Sequence, residues 1–135
     1  IAQYHQRQEI TKLDSKEIVK QAYECFGAGD IEGLAALMHE NYVGTINGLM
    51  EMSGEYHGFP AFLGGVLAKI PAHWPNFNLT PIGMISEGNT VFVKLKATAD
   101  DLDAVFGHLW EVEDGKVISF HAFDDTQKLA ESSKA

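Results

Sequence analysis

Two side chains near the C-terminal end, His108 and Asp124, are of a type to move a proton. Both lie in the stretch FGHLWEVEDGKVISFHAFDD, residues 106–125. An imidazole changes charge near neutrality, and a carboxylate out of water can take or give a proton. Together on one dry surface they could act beside a carbonyl group. Whether they share a surface depends on how the stretch folds. Two alternating runs flank Glu113-Asp114-Gly115, which reads as a hairpin. A two-residue loop at Asp114-Gly115 sets His108 opposite His121, buries Ser119 and His121, and exposes Ile118 and Phe120. A three-residue loop, with Gly115 left-handed in a bulge, shifts the returning strand by one residue. Phe106, His108, Trp110, Val112, Ile118, Phe120, Ala122 and Asp124 then share one face. Glu111, Glu113, Ser119, His121 and Asp125 take the other. Only this second register separates apolar from polar, so the bulged turn is expected.

The elements that must position this hairpin follow from the rest of the chain. Residues Ile1 to Lys12 are polar and read as a short helix or loose arm. Asp14 with Glu17 three residues on marks a helix start. Ile18, Val19, Ala22, Tyr23 and Phe26 recur at helical spacing, and Gly27 and Gly29 end the helix. Asp30 caps a second helix with the stripe Ile31, Leu34, Leu37 and Met38. Asn41 to Asn47 reads as a strand and Gly48 to Gly58 as a loop. Pro60 suits the first turn of a third helix, with Phe62, Leu63, Val66, Leu67 and Ile70 as its stripe. Close packing would explain Gly64-Gly65, and Pro71 and Pro75 are expected to stop the helix. Phe77 to Ser86 is a strand whose Pro81 suggests an edge or a bulge. Val91, Val93, Leu95 and Ala97 alternate with Phe92, Lys94 and Lys96 in the next strand. An acidic loop precedes the hairpin, and a short polar helix or tail follows from Thr126. The expectation is one α+β domain over residues 1–135, with helices on one side of a curved antiparallel sheet.

Composition narrows the partners. A net charge of -9 argues against nucleic acid and anionic membranes. No apolar run reaches the roughly 20 residues needed to span a bilayer. Cys25 is alone, which fits a reducing compartment such as the cytoplasm, and its helical apolar setting reads as a buried, inert thiol. The chain opens on Ile1 rather than Met, the pattern of a trimmed chain, and a removed targeting segment is compatible with it. The six histidines show no HxH or HExxH spacing, and no second cysteine helps, so no metal is expected. No phosphate loop, GxGxxG or GxSxG occurs, so no cofactor is expected either.

Three strings carry a resemblance: IVKQAYECFGAGDIEGLAALMHENYV near the start, YHGFPAF before the third helix, and HLWEVEDGKVISFHAFDD at the end. In order and spacing they resemble the SnoaL-like polyketide cyclases over roughly Ser15 to Leu129. The wider superfamily includes ketosteroid isomerase, scytalone dehydratase and nuclear transport factor two. The resemblance implies a cone-shaped barrel of curved sheet wrapped by three helices, and a pocket inside it. It also implies a His and an Asp in the terminal hairpin, the Asp serving as acid and base. The family histidine falls on His108. The family aspartate falls on Ala122, and a first-helix pocket tyrosine found in some relatives falls on Phe26. Relatives pair through the outer sheet face, which implies a homodimer.

His108 and Asp124 are therefore the candidate catalytic residues. Asp124 lies one pleat, about 6.5 Å, beyond position 122 on the same face. It could stand in for the missing carboxylate, although a simpler role is to end the strand and cap the next helix. Without an acid from Asp124, or from a loop residue such as Glu55, His108 has no carboxylate partner, and this is the expected state. Trp110, Phe120, Phe106, Tyr42, Phe26, Phe62 and Ala122 are the candidate ligand wall, with Trp74 as further wall or core. They would suit a small hydrophobic molecule. Tyr42, Asn47 and Tyr23 could donate to an oxyanion. His57 and Glu55 read as a solvated loop. Two functions follow. One is a cofactor-independent enzyme for a hydrophobic carbonyl compound, giving cyclisation, isomerisation or dehydration. The other is a non-catalytic binder that has lost the acid at position 122.

Overall fold

The computed structural model describes residues 14–135. The expected N-terminal arm thus lies outside the described residues. Helix α1 (Ser15–Ala28) begins where the Asp14 carboxylate accepts the Glu17 N–H at 2.9 Å. That bond satisfies one of the open donors of the first turn. The helix ends at left-handed Gly29, where the Asp30 N–H reaches back to the Cys25 carbonyl at 2.9 Å. The Asp30 carboxylate then caps α2 (Ile31–Ala36) through the Gly33 N–H at 2.8 Å. Helix α2 is shorter than its stripe implied. Leu34 is buried, Ile31 faces solvent, and Met38 already opens β1 (Met38–Ile46).

The span read as a loop contains β2 (Gly54–His57), antiparallel to β1. Four largely exposed residues carry no alternation, so periodicity gave no sign of it. The single expected third helix is broken into α3 (Phe59–Gly65), a 3-10 turn (Leu67–Lys69) and α4 (Ile70–His73). Pro71 sits in the first turn of α4 rather than stopping a helix. Close packing explains only one glycine of the pair. A side chain at Gly65 would strike the Tyr56 ring, whereas the space at Gly64 is open.

Strands β3 (Asn78–Glu87), β4 (Thr90–Ala99), β5 (Leu102–Glu113) and β6 (Lys116–Phe123) follow as an antiparallel run, and α5 (Thr126–Ser132) closes the chain. Pro81 is both on an edge strand and at a bulge, between Pro81 and Gly83. The curved sheet has the order β2-β1-β6-β5-β4-β3 and is not closed. It is not wholly antiparallel, because β1 runs parallel to β6. Helix α1 lays Ile18, Val19 and Ala22 on the concave face, against the fully buried Val91, Val93, Leu95 and Ala97 of β4. This α+β layout agrees with the expected class.

The hairpin reaches the expected facing by a different route. Asp114 and Gly115 both have positive φ, 52° and 76°, and Glu113 pairs with Lys116. The turn therefore has two residues and the type I′ form, whose twist suits the flanking strands. The extra residue lies in β6 instead. Val112 pairs with Val117 and Glu111 with Ser119, which leaves Ile118 in a bulge. Beyond it His108 faces Ala122 and Trp110 faces Phe120. The expected place of Ile118 on the inner face is corrected: the wholly buried Val117 holds it.

Candidate active site

His108 is 4% exposed on the concave face and both its ring nitrogens have partners. The Tyr23 hydroxyl lies 2.7 Å from Nδ1, and the Asp124 Oδ1 lies 3.2 Å from Nε2. Trp110 Nε1–H donates to the same Tyr23 oxygen at 3.0 Å. These contacts fix the direction of the chain of bonds. An indole nitrogen can only donate, so Tyr23 accepts there and turns its own proton to His108. Nδ1 of the neutral ring is then an acceptor, and Nε2–H donates to Asp124. The Tyr23 and His108 rings are nearly parallel, 9° apart, while Phe120 meets the imidazole edge-on at 4.7 Å. Aromatic packing therefore helps its hydrogen bonds to hold the ring.

The expectation that His108 lacks a carboxylate partner is overturned. Asp124 is not the helix cap, since Asp125 accepts the Lys128 N–H at 3.1 Å and does that work. Asp124 is left facing inward, its side chain 10% exposed. Ala122, fully buried, has only a methyl group where the resemblance places an acid. The first helix shows a matching offset. Phe26 is apolar and meets Phe77, but Tyr23, one turn earlier on the same face, provides the phenol. Burial drives the Tyr23 hydroxyl well above the ordinary phenol range. The Trp110 hydrogen bond opposes this shift and the nearby Asp124 charge adds to it. Tyr23 thus remains a proton donor at any ordinary pH.

The cluster stands at the wall of a cavity. It encloses about 100 Å³, or about 800 Å³ when the mouth and the gaps between side chains are counted. Tyr42, Phe62, Phe106, Trp110 and Phe120 line it as expected, with partly buried Phe26 at one side. The buried Trp74 also lines it, with its indole N–H bound to the Leu129 carbonyl at 2.9 Å. Met38, named in the stripe of the second helix, also lines the cavity, and so do Met50 and Met52, which periodicity missed. The latter two lie in the span read as a loop, where no pattern places a side chain inward. No Lys or Arg lines the cavity among the described residues. His108 and Asp124 are its titratable groups other than the tyrosines.

Other candidates lie elsewhere. The Asn47 amide is engaged with the Asp124 backbone and does not line the cavity. His57 and Glu55 pair with each other at 3.4 Å on the surface, so Glu55 does not reach His108. His121 stacks on Phe123 on the convex face, and Glu111 is exposed there. Cys25 is only partly covered, not buried as expected. Desolvation, then the Asp30 and Glu24 charges, still hold its thiol above its usual range. His39, Glu113 and Asp114 bring possible metal-binding atoms within 4.8 Å of one another. His39 Nδ1 accepts the Asn41 N–H at 2.9 Å, however, so the neutral ring turns a proton toward Glu113. That arrangement pairs the two groups and leaves the His39 ring no free lone pair for an ion.

The family model described as a SnoaL-like domain matches residues 19–120. The chain belongs to the SnoaL-like domain family. No curated protein matches it. Among solved structures it is similar to a nuclear-transport-factor-two-like protein of unknown function from Burkholderia pseudomallei. That pair has TM-score 0.80 and 23% identity, over 90% of this chain and 98% of the other. It is similar to TerC, co-crystallised with polyporic acid, with TM-score 0.75 and 24% identity over 87% and 96% of the two chains. IdmH of Streptomyces antibioticus, provisionally assigned as a polyketide cyclase, gives TM-score 0.75 and 17% identity over 89% and 98%. At these identities the likeness establishes the fold alone.

Proposed function

We propose that this protein is a small, cofactor-independent enzyme that transfers a proton on an uncharged hydrophobic carbonyl compound. One observation carries the reading: the Asp124 carboxylate sits 3.2 Å from His108 Nε2 at the wall of an apolar cavity. His108 has both nitrogens engaged, so the group left to meet a substrate is Asp124. Asp124 takes a proton from the carbon beside the carbonyl, and His108 Nε2–H holds the carboxylate in line. The same proton returned to another atom gives isomerisation, and an enolate closing on a second carbonyl gives cyclisation. The lack of Lys and Arg in the wall favours a substrate without a carboxylate or phosphate. The test is solvent deuterium exchange into an activated ketone, followed by mass spectrometry. Asp124→Asn is expected to slow it about a hundredfold or more, the usual share of acid-base catalysis. Unchanged exchange in that variant overturns the reading.

A binder remains the second reading, and the sealed methyl of Ala122 favours it. Native mass spectrometry of freshly purified protein would then show a bound hydrophobic molecule whose retention does not depend on Asp124. The partner of the protein itself is proposed to be a second copy. Ile85, Phe92, Val105 and Phe123 are exposed on the convex face of β3 to β6, an apolar area suited to a homodimer.

A further inference from the structure

We infer that Asn47 is a positioning residue: its side-chain amide sets the place of Asp124, and so the carboxylate that faces His108. This rests on the proton-transfer reading above. The parallel ladder between β1 and β6 ends at the pair Ile46 and Ala122. One step further the backbone no longer pairs strand to strand. There the Asn47 side chain replaces it. Asn47 Nδ2–H donates to the Asp124 carbonyl at 3.0 Å, and the Asp124 N–H donates to Asn47 Oδ1 at 3.1 Å. A primary amide presents its donor and acceptor side by side, as a strand edge does, so it holds both ends of one residue. Asp124 lies past the end of β6 and would otherwise be free to swing with the following turn.

The same residue ties the acid to the cavity wall. The Asn47 carbonyl accepts from Ser53 Oγ–H at 2.7 Å, and Ser53 Oγ accepts the Met50 N–H at 2.9 Å. Met50 and Met52 line the cavity from this loop. At Gly48, with φ 86°, the loop passes so close to Thr126 that a Cβ would fall 2.7 Å from its methyl carbon. Asn47 is thus the joint between a loop that touches the cavity contents and the residue proposed to react with them.

The His108 Nε2–H proton reports on this joint in proton–nitrogen NMR spectra. Its bond to a carboxylate draws the signal downfield and slows its exchange with water. Asp124→Ala removes that acceptor, and exchange is expected to quicken about tenfold, as for loss of a charge-assisted bond. Asn47→Ala is expected to do the same while every atom of Asp124 is kept. Ser53→Ala loosens the same loop without touching Asp124 and should leave the signal in place. If Asn47→Ala does not fold by circular dichroism, Asn47→Ser, too short to hold both bonds, gives the same reading. A wild-type signal in the Asn47 variant, beside a shifted one in Asp124→Ala, overturns this inference and leaves the proposed function standing. A wild-type signal in Asp124→Ala means that the His108–Asp124 pair is not formed, and both fall.

Discussion

At the scale of single residues, Tyr23 is the most consequential side chain that sequence reasoning undervalued. It was legible as one of five apolar-face positions on α1, but periodicity reports which way a residue points and not what its hydroxyl meets. Its oxygen accepts from Trp110 and donates to His108. Tyr23→Phe therefore strands two buried groups at once. We expect a loss of about 2–3 kcal/mol in urea unfolding, from the penalty of an unpaired buried polar group. Combining it with Trp110→Phe should cost less than the two single losses added, since the second change removes one stranded donor. Burial also raises the hydroxyl of Tyr42, as it does that of Tyr23. The direction of the pH effect follows. A phenol held neutral in the fold ionises first in the unfolded chain, so stability is full below the unfolded value of about 10 and falls as pH rises past it. The slope is at most about 1.4 kcal/mol per pH unit for each tyrosine. Unfolding curves between pH 8 and 11 should show this decline, and Tyr42→Phe should flatten it.

At the scale of elements, the two adjacent glycines of α3 give opposite expectations. Gly64 has open space where a side chain would go, while at Gly65 a Cβ would collide with the Tyr56 ring. Gly64→Ala should raise stability by about 0.5–1 kcal/mol through helix propensity and chain entropy. Gly65→Ala should lower it, and the melting temperatures of the two variants should move in opposite directions. Capped and periodic elements were plain in the sequence: α1 between Asp14 and Gly29, and β4 with its strict alternation. The sense of the hairpin was also legible, because only one facing buries Phe120 while keeping His121 out. What stayed hidden was where the extra residue sits. Asp114-Gly115 makes a good two-residue turn, and the demand for a bulge then passes to Ile118, a residue with no local signal for it. The sequence allows an inward carboxylate at position 124, but that Asp125 rather than Asp124 takes the helix cap is visible only in the structure.

At the scale of the whole molecule, the convex face is expected to be covered. Phe92 is 38% exposed, and its ring lies over Gly107, where a Cβ would come within 2.8 Å of it. That leaves an apolar surface flanked by Ile85 on β3 and Phe123 on β6. A stable homodimer there would bury at least about 1,000 Å². Light scattering at micromolar concentration should give twice the chain mass, and Phe92→Glu should give the single mass. A wild-type monomer would rule the dimer out.

The placement of β6 between β1 and β5 bears on how the molecule is made. The first long strand to leave the ribosome has its main partner in the last one. Until Lys116 to Phe123 emerges, β1 and β2 can form only a two-stranded ribbon, which is marginal in water. The nascent β3 to β5 meander would then show one apolar face and leave the β5 edge open as well as the outer edge of β3. Assembly of the cavity, and of the pair between His108 and Asp124, must therefore wait for nearly the whole chain. Pairing over so long a sequence separation makes folding slow and exposes sticky intermediates on the way. Production of this protein should thus respond to slower synthesis or added chaperone more than its final stability would suggest.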